Sequence, residues 1–238
     1  MPAPTTSRRL VVAIDGPSGS GKSTVSRRVA AALGLRFLDT GAIYRALTWW
    51  CLEQGVDLED QAAVAAVAKD FPLEIGTDPD RPTVVVDGRD VAVAIREPSI
   101  SVSVSAVATN LDVRATLLGL QRDLIAEGPV GTVAEGRDIT TVVAPDADVR
   151  ILLTADERAR LERRTVELLG TTEESAIEAT RDQVVRRDHD DSTVSSFLTA
   201  AEGVRTIDSS VLSVDQVVAA VLDEVAARTG VRPAGEGS

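Results

Sequence analysis

The stretch Gly16-Pro-Ser-Gly-Ser-Gly21-Lys22-Ser23 satisfies the pattern G-x-x-x-x-G-K-[ST] without a mismatch. Its glycines let successive backbone N–H groups point into one concavity, and a helix starting there adds partial positive charge. Such a concavity holds the phosphates of a nucleotide. Lys22 would reach the β- and γ-phosphates, and the Ser23 hydroxyl would ligate Mg²⁺. The expected ATP-binding loop is therefore Gly16, Pro17, Ser18, Gly19, Ser20, Gly21, Lys22, Ser23 and Thr24, with Lys22 exposed in the cradle. A guanine-specific switch would add N-K-x-D, a string missing from this sequence. An ATP-driven motor would add a strand ending in Asp-Glu. The run Arg150–Glu157 approaches that, but Thr154 followed by Glu157 reads better as a capping box opening a helix.

Three arginines form the second constellation: Arg45 in "DTGAIYR", Arg137 in "EGRDITTVVAPDA" and Arg187 in "VVRRDHDDST". Joining two polyphosphates brings like charges together, and cations gathered around the developing charge answer that cost. Arg45 and Arg137 fall at or just beyond the C-terminal ends of predicted strands, the edge where an open α/β sheet binds ligands. Arg187 lies in a segment able to close over that edge. A hydroxyl acceptor, as in shikimate kinase, would benefit from a nearby carboxylate base. A phosphate acceptor needs none, because its second pKa of about 6 leaves it largely dianionic at neutral pH. Arginines rather than a lone carboxylate at this edge favour a monophosphate acceptor.

The loop works only if a strand delivers it and a helix leaves it. "RLVVAID" (Arg9–Asp15) is a short β-branched run, and from Ser23 to Leu33 the positions Val25, Val29 and Leu33 line one helix face before Gly34. A second strand, a turn at Thr40–Gly41 and a second helix follow. After an interval the alternation resumes with the strands "GTVAEGRD", "DVRILLTA" and "VRTIDS", a long Arg/Glu-rich helical stretch, and a last helix from Val214 to Arg228. This is an α/β pattern: a parallel sheet of five strands covered on both faces, in three layers. Phe71–Pro98 differs, with Gly, Pro and Asp turn signals between β-rich pieces and a tight Asp87–Gly88. It predicts a small antiparallel sheet inserted into the main fold, before helix returns around Ile100–Glu127.

With these motifs in this order, the sequence from about Leu10 to Arg228 resembles the bacterial cytidylate kinases of the nucleoside monophosphate kinase family. The resemblance implies a core over 9–69 and 106–228, with a short lid at about 157–195. It implies an inserted monophosphate-binding subdomain at 70–105, and tails at 1–8 and 229–238 are expected to be disordered. It makes Lys22, Arg45, Arg137 and Arg187 the catalytic cations. The CMP set it implies is Thr40, Arg45, Ser105, Arg114, Arg137, Asp138, Arg187 and Asp191, with Asp191 and Arg187 toward the ribose. Asp138 would accept from cytosine N4, while Arg114 and Ser105 donate to the other edge of the base. Uracil would set a carbonyl against Asp138, at about 1–3 kcal/mol. The expected reaction is in-line transfer from ATP to CMP or dCMP with Mg²⁺. The alternatives are a P-loop kinase with another acceptor and a nucleotide-dependent switch.

One departure stands out. The family reads R-D-x-x-D-S-T-R followed shortly by Pro-Leu, whereas here Thr193 is followed by Val194, and Phe197-Leu198 stands in place of Pro-Leu. The simplest reading is a deletion that leaves the acceptor clamp one arginine short: either the enzyme is correspondingly slower, or Arg186, next to Arg187, swings in as the substitute, which is the expectation. Other residues read more plainly. His189 lies among acidic and basic neighbours and is expected to be solvated or ion-paired rather than a metal ligand. Cys51, beside Trp49 and Trp50, is expected in the core. Arg160, Arg163 and Arg164 read either as surface pairs of Glu157 and Glu162 or as lid arginines over the ATP phosphates.

Composition bounds the rest. Over 238 residues the net charge is −12, which opposes a protein that coats nucleic acid, and aromatics are only 3%. No apolar run is long enough to span a bilayer, and Met1–Arg9 lacks the apolar centre of a signal peptide. A single cysteine excludes an internal disulfide. The expectation is a cytoplasmic monomer with nucleotides as its partners, no membrane and no nucleic acid.

Overall fold

A computed structural model describes residues 9–233; of the tails predicted at 1–8 and 229–238, residues 1–8 and 234–238 lie outside the described residues. The central sheet contains strands β1 (Val11–Asp15), β2 (Arg36–Asp39), β6 (Thr132–Gly136), β7 (Val149–Thr154) and β8 (Arg205–Asp208). Their order is β2-β6-β1-β7-β8, every pairing is parallel, and Val12 stands opposite both Val133 and Val149. Side chains alternate across a strand, so β1 sends Val12 and Ile14 to one face and Ala13 to the other. On the first face they meet helices α1 (Lys22–Leu33) and α8 (Val214–Thr229) through Val25, Val29, Val217, Val221 and Val225. On the second face the cover comes from α2 (Thr40–Glu53), α3 (Gln61–Lys69), α4 (Pro98–Ala108) and α5 (Leu111–Ala126). This is the expected three-layer α/β fold with a five-stranded parallel sheet.

The inserted sheet is three-stranded and antiparallel: β3 (Leu73–Ile75), β4 (Val84–Val86) and β5 (Arg89–Asp90). Asp87 and Gly88 both have positive φ, the geometry of the two-residue hairpin that the sequence signalled. Val84, Val86, Val91 and Ile95 bury against Ala42 and Ala46, which seats this sheet on α2.

Local expectations needed revision in five places. No turn separates β2 from α2: Asp39 ends the strand and caps the helix itself, accepting from the Ala42 N–H at 2.8 Å. The helix expected over Ile100–Glu127 is two helices, broken where Asn110 caps α5 by accepting from the Asp112 and Val113 N–H groups. The Arg/Glu-rich stretch also divides, into α6 (Glu157–Leu169) and α7 (Glu174–Ser192), parted by Gly170 in the left-handed region. Thr154 belongs to β7, and the cap of α6 is Asp156, whose carboxylate accepts from the Ala159 N–H. At the chain's end, Thr229 still belongs to α8 and Gly230 caps it.

Candidate phosphoryl-transfer site

The loop between β1 and α1 is shaped by contacts a side chain would forbid. A Cβ on Gly16 would collide with the Leu153 carbonyl of β7, and Gly19 adopts φ 75° against the backbone of Arg160. Helix α1 opens with no side-chain cap, leaving its first N–H groups for an anion. Lys22 is not exposed as expected; its side chain retains only 14% exposure, with Nζ 3.9 Å from Glu135 Oε2. Burial and then the nearby Arg137 push the Lys22 ammonium down to about 8. Ser23 Oγ donates to Glu135 Oε1 at 2.5 Å, so a hydroxyl and a buried carboxylate stand together beside the lysine. Burial, reinforced by Asp39, raises the Glu135 carboxyl above its ordinary value.

The loop opens into a cleft of about 860 Å³ that reaches from α1 to the inserted sheet, the larger of the two described cavities. Its wall holds Arg45 of α2, Arg137 just past β6 and Arg187 of α7, the three cations the sequence singled out. Arg45 Nη2 donates to Asp39 Oδ2 at 2.9 Å, and Arg96 approaches the same oxygen at 3.8 Å. Burial opposes ionisation of Asp39, but Arg45 and then Arg96 prevail and hold its carboxyl below the usual range. Arg137 is held by Asp191 at 3.1 Å, Asp188 at 3.4 Å and the Gly16 carbonyl. Arg187 lies 3.8 Å from Asp191, and burial together with Arg137 lowers it to about 10. Two donors remain open: Arg45 Nε and Arg187 Nε are buried without a hydrogen-bond partner among the described residues. Buried orphan donors on two cations from different helices are what an anion would satisfy.

At the far end, Arg114 Nη2 donates to Asp138 Oδ2 at 2.5 Å, and both side chains line the cleft. Burial raises the Asp138 carboxyl, with Arg114 opposing. Thr40 also lines the cleft, its hydroxyl donating to the Glu135 carbonyl at 2.8 Å. Ser105 is buried in α4, its carbonyl accepting from Thr109; the α4 residues on the cleft wall are Ser101, Val104 and Ala108.

The α6 arginines resolve a choice the sequence left open. Arg160 bonds to the Ser18 carbonyl and to Asp188, and Arg163 to Ser209 and, at 3.5 Å, to the Ser20 carbonyl. They bind the loop rather than pairing along the helix surface, and Arg163 also lines the cleft; surface pairing falls to Arg158 with Glu162, and to Arg164 with Glu167. Arg186 does not fill the gap left after Thr193. Its side chain is 79% exposed and 4.0 Å from Asp190. Successive helical residues point roughly 100° apart, so turning Arg186 inward would turn Arg187 out. Arg164 reaches the cleft instead, its Nη2 donating to Ser101 Oγ at 3.1 Å. His189 has no metal-binding group around it among the described residues, and Cys51 is fully buried in the core.

Four residues of the site escaped sequence reading. Asp39 ends β2 and Glu135 is the last residue but one of β6, and each opens one of the two arginine-bearing motifs, DTGAIYR and EGRD, in which only later residues drew a role. Asp15 ends β1 and accepts from the Ile139 N–H, the Thr140 N–H and Thr140 Oγ1, tying the turn after Asp138 to the loop strand. Phe197 packs its ring against Arg137.

A parallel sheet whose central strand runs into this loop, with arginines facing it across one cleft, makes the chain a P-loop kinase. Comparison with known proteins narrows the class: the family model described as "Cytidylate kinase" matches residues 12–227, and the chain belongs to that family. A cytidylate kinase from Streptomyces avermitilis is 47% identical over 214 residues, covering 90% of this chain and 91% of that one. One from Cutibacterium acnes is 50% identical over 218 residues, covering 91% and 96%. A bifunctional pantoate ligase/cytidylate kinase from Synechococcus is 44% identical over 227 residues, 94% of this chain and 45% of its own length.

Proposed function

We propose that the chain transfers the γ-phosphate of ATP to CMP or dCMP, giving ADP and CDP or dCDP. The observation that carries the reading is the pair of orphan guanidinium donors, Arg45 Nε and Arg187 Nε, lining the same cleft as the phosphate loop. ATP lies with its phosphates on backbone N–H groups of the loop over 16–24, other than Pro17, which has none, and Ser18, whose N–H donates to Asp188. The acceptor monophosphate sits among Arg45, Arg137 and Arg187, and transfer is in line between them. The monophosphate is its own nucleophile, so no base is needed. The base rests against Asp138 and Arg114, and the ribose near Asp191. The inserted segment, 70–105, frames the acceptor, and 157–195 forms a lid.

The oxygen donors beside Lys22 suit a hard divalent cation. Ser23 and Glu135 would hold Mg²⁺ with the ATP, and the ion would supply charge neutralisation to the phosphates. We take the chain to act as a monomer. A single buried cysteine supports a reducing, cytoplasmic setting, and the net charge of −12 opposes nucleic acid as a partner. Among the described residues no helix is long and apolar enough to cross a membrane.

A coupled ADP-release assay with CMP, UMP, AMP, GMP and shikimate tests the reading. CMP and dCMP should turn over far faster than the others. ADP release that ignores the acceptor would indicate a hydrolytic switch, and turnover with shikimate or AMP alone would indicate a different kinase.

A further inference from the structure

Phe197 is the largest of the fully buried side chains, yet it belongs to none of the hydrophobic clusters formed by the described residues. A cation lies on its ring instead: the guanidinium carbon of Arg137 is 4.6 Å from the ring centroid. The edges of that guanidinium are tied by Asp191 Oδ2 at 3.1 Å, Asp188 Oδ1 at 3.4 Å and the Gly16 carbonyl. Three of its five N–H donors are thus committed, and two remain for a ligand. Hydrogen bonds along the edges fix the guanidinium in its own plane, but they restrain tilting out of that plane poorly. A ring against one face supplies that restraint, and in a water-poor site it also attracts the charge. Asp188, Asp191 and Phe197 all belong to α7 or to the segment leaving it, so the ring and both carboxylates arrive together.

We propose that Phe197 is a positioning residue for phosphoryl transfer, holding the Arg137 guanidinium at the angle that meets the phosphate in flight. It stands in the segment that lacks the arginine expected after Thr193, so the remaining cations carry a larger share of the charge. The inference rests on Arg137 acting at the transferred phosphate, as in the proposed function. A tilt of this cation lowers kcat more than it raises either KM, because charge develops there only in the transition state.

The test replaces Phe197 in the full chain with mono-, tri- and pentafluorophenylalanine, which keep the shape of the ring while weakening the negative charge of its face. Phe197→Leu is made alongside. We expect kcat to fall step by step, to about a tenth in the pentafluoro variant, with the KM for ATP and the melting temperature little changed. The leucine variant should lose at least as much kcat. A flat kcat across the fluorinated series overturns the proposal, whatever the leucine variant does, because a merely structural ring would tolerate the series. Arg137→Lys separates the two readings. Full activity there defeats the assignment of Arg137 to the phosphate, and the inference with it. Loss there with a flat series removes only the role of Phe197.

Discussion

Asp138→Asn should turn a base-facing acceptor into a donor, and the structure dictates which way the new amide points. Arg114 Nη2 donates to Asp138 Oδ2 at 2.5 Å while its Nη1 donates to the Ala108 carbonyl at 3.2 Å. Arg114 offers only donors, so the asparagine carbonyl must keep the Oδ2 position; the reverse setting would face donor against donor. Its Nδ2 then stands where Oδ1 stands now. Both side chains are mostly buried, at 12% and 16% exposure, so water offers little relief. For CMP the change removes a charge-assisted bond to the 4-amino group, about 1.5–3 kcal/mol. That corresponds to roughly ten- to a hundredfold in kcat/KM. For UMP it replaces a repelling carboxylate with a donor to O4, and kcat/KM should rise by about tenfold. The CMP/UMP ratio should narrow by roughly a hundredfold or more, with the KM for ATP unchanged. Initial rates of coupled ADP release at saturating ATP measure each value. Because burial raises the Asp138 carboxyl, the wild type should also lose CMP preference on acidification, while the variant does not. An unchanged ratio, or equal losses for both nucleotides, would refute base reading by Asp138 and leave it a purely structural partner of Arg114.

Three further outcomes follow from the geometry. Lys22, pushed down to about 8, must be protonated to meet triphosphate, so kcat/KM for ATP should fall as pH rises through about 8. Bound ATP favours the charged form, so kcat should hold to higher pH; a flat kcat/KM profile across that range would contradict the assigned environment. Asp15→Ala strips the partner from the buried Ile139 and Thr140 N–H groups at a cost of about 1–3 kcal/mol each. At roughly 2–4 °C per kcal/mol for a chain of this size, calorimetry should show the melting temperature about 10 °C lower. Arg186→Ala should leave kcat/KM for CMP within about twofold, as expected for a solvated charge. Arg164→Ala, which empties a place on the cleft wall, should lower it by about tenfold. A large loss in the first variant and none in the second would restore Arg186 as the substitute cation.

The phosphate loop, the alternation of strand and helix, the hairpin at Asp87–Gly88 and the arginines at 45, 137 and 187 were all legible in the chain. Each depends on neighbours in sequence: glycine spacing, the period of apolar residues, positive φ at a two-residue turn. The family motifs carried Asp138 and Arg114 in the same way, and the structure brings those two together at one end of the cleft. What pairs with what was not legible. Glu135 meets Ser23 across 112 residues, Asp15 reaches Thr140 across 125, and Asp188 reaches the Ser18 N–H across 170. The burial of Lys22 and Arg187, and the shifts it causes, come from walls contributed by distant elements. The choice between Arg186 and Arg164 turned on which helix face meets the cleft, and the ring beneath Arg137 on how the chain leaves α7. Sequence alone determined which groups the chain carries and the local backbone that displays them. Only tertiary structure decided their partners, exposure and charge, because these depend on packing between segments far apart in the chain.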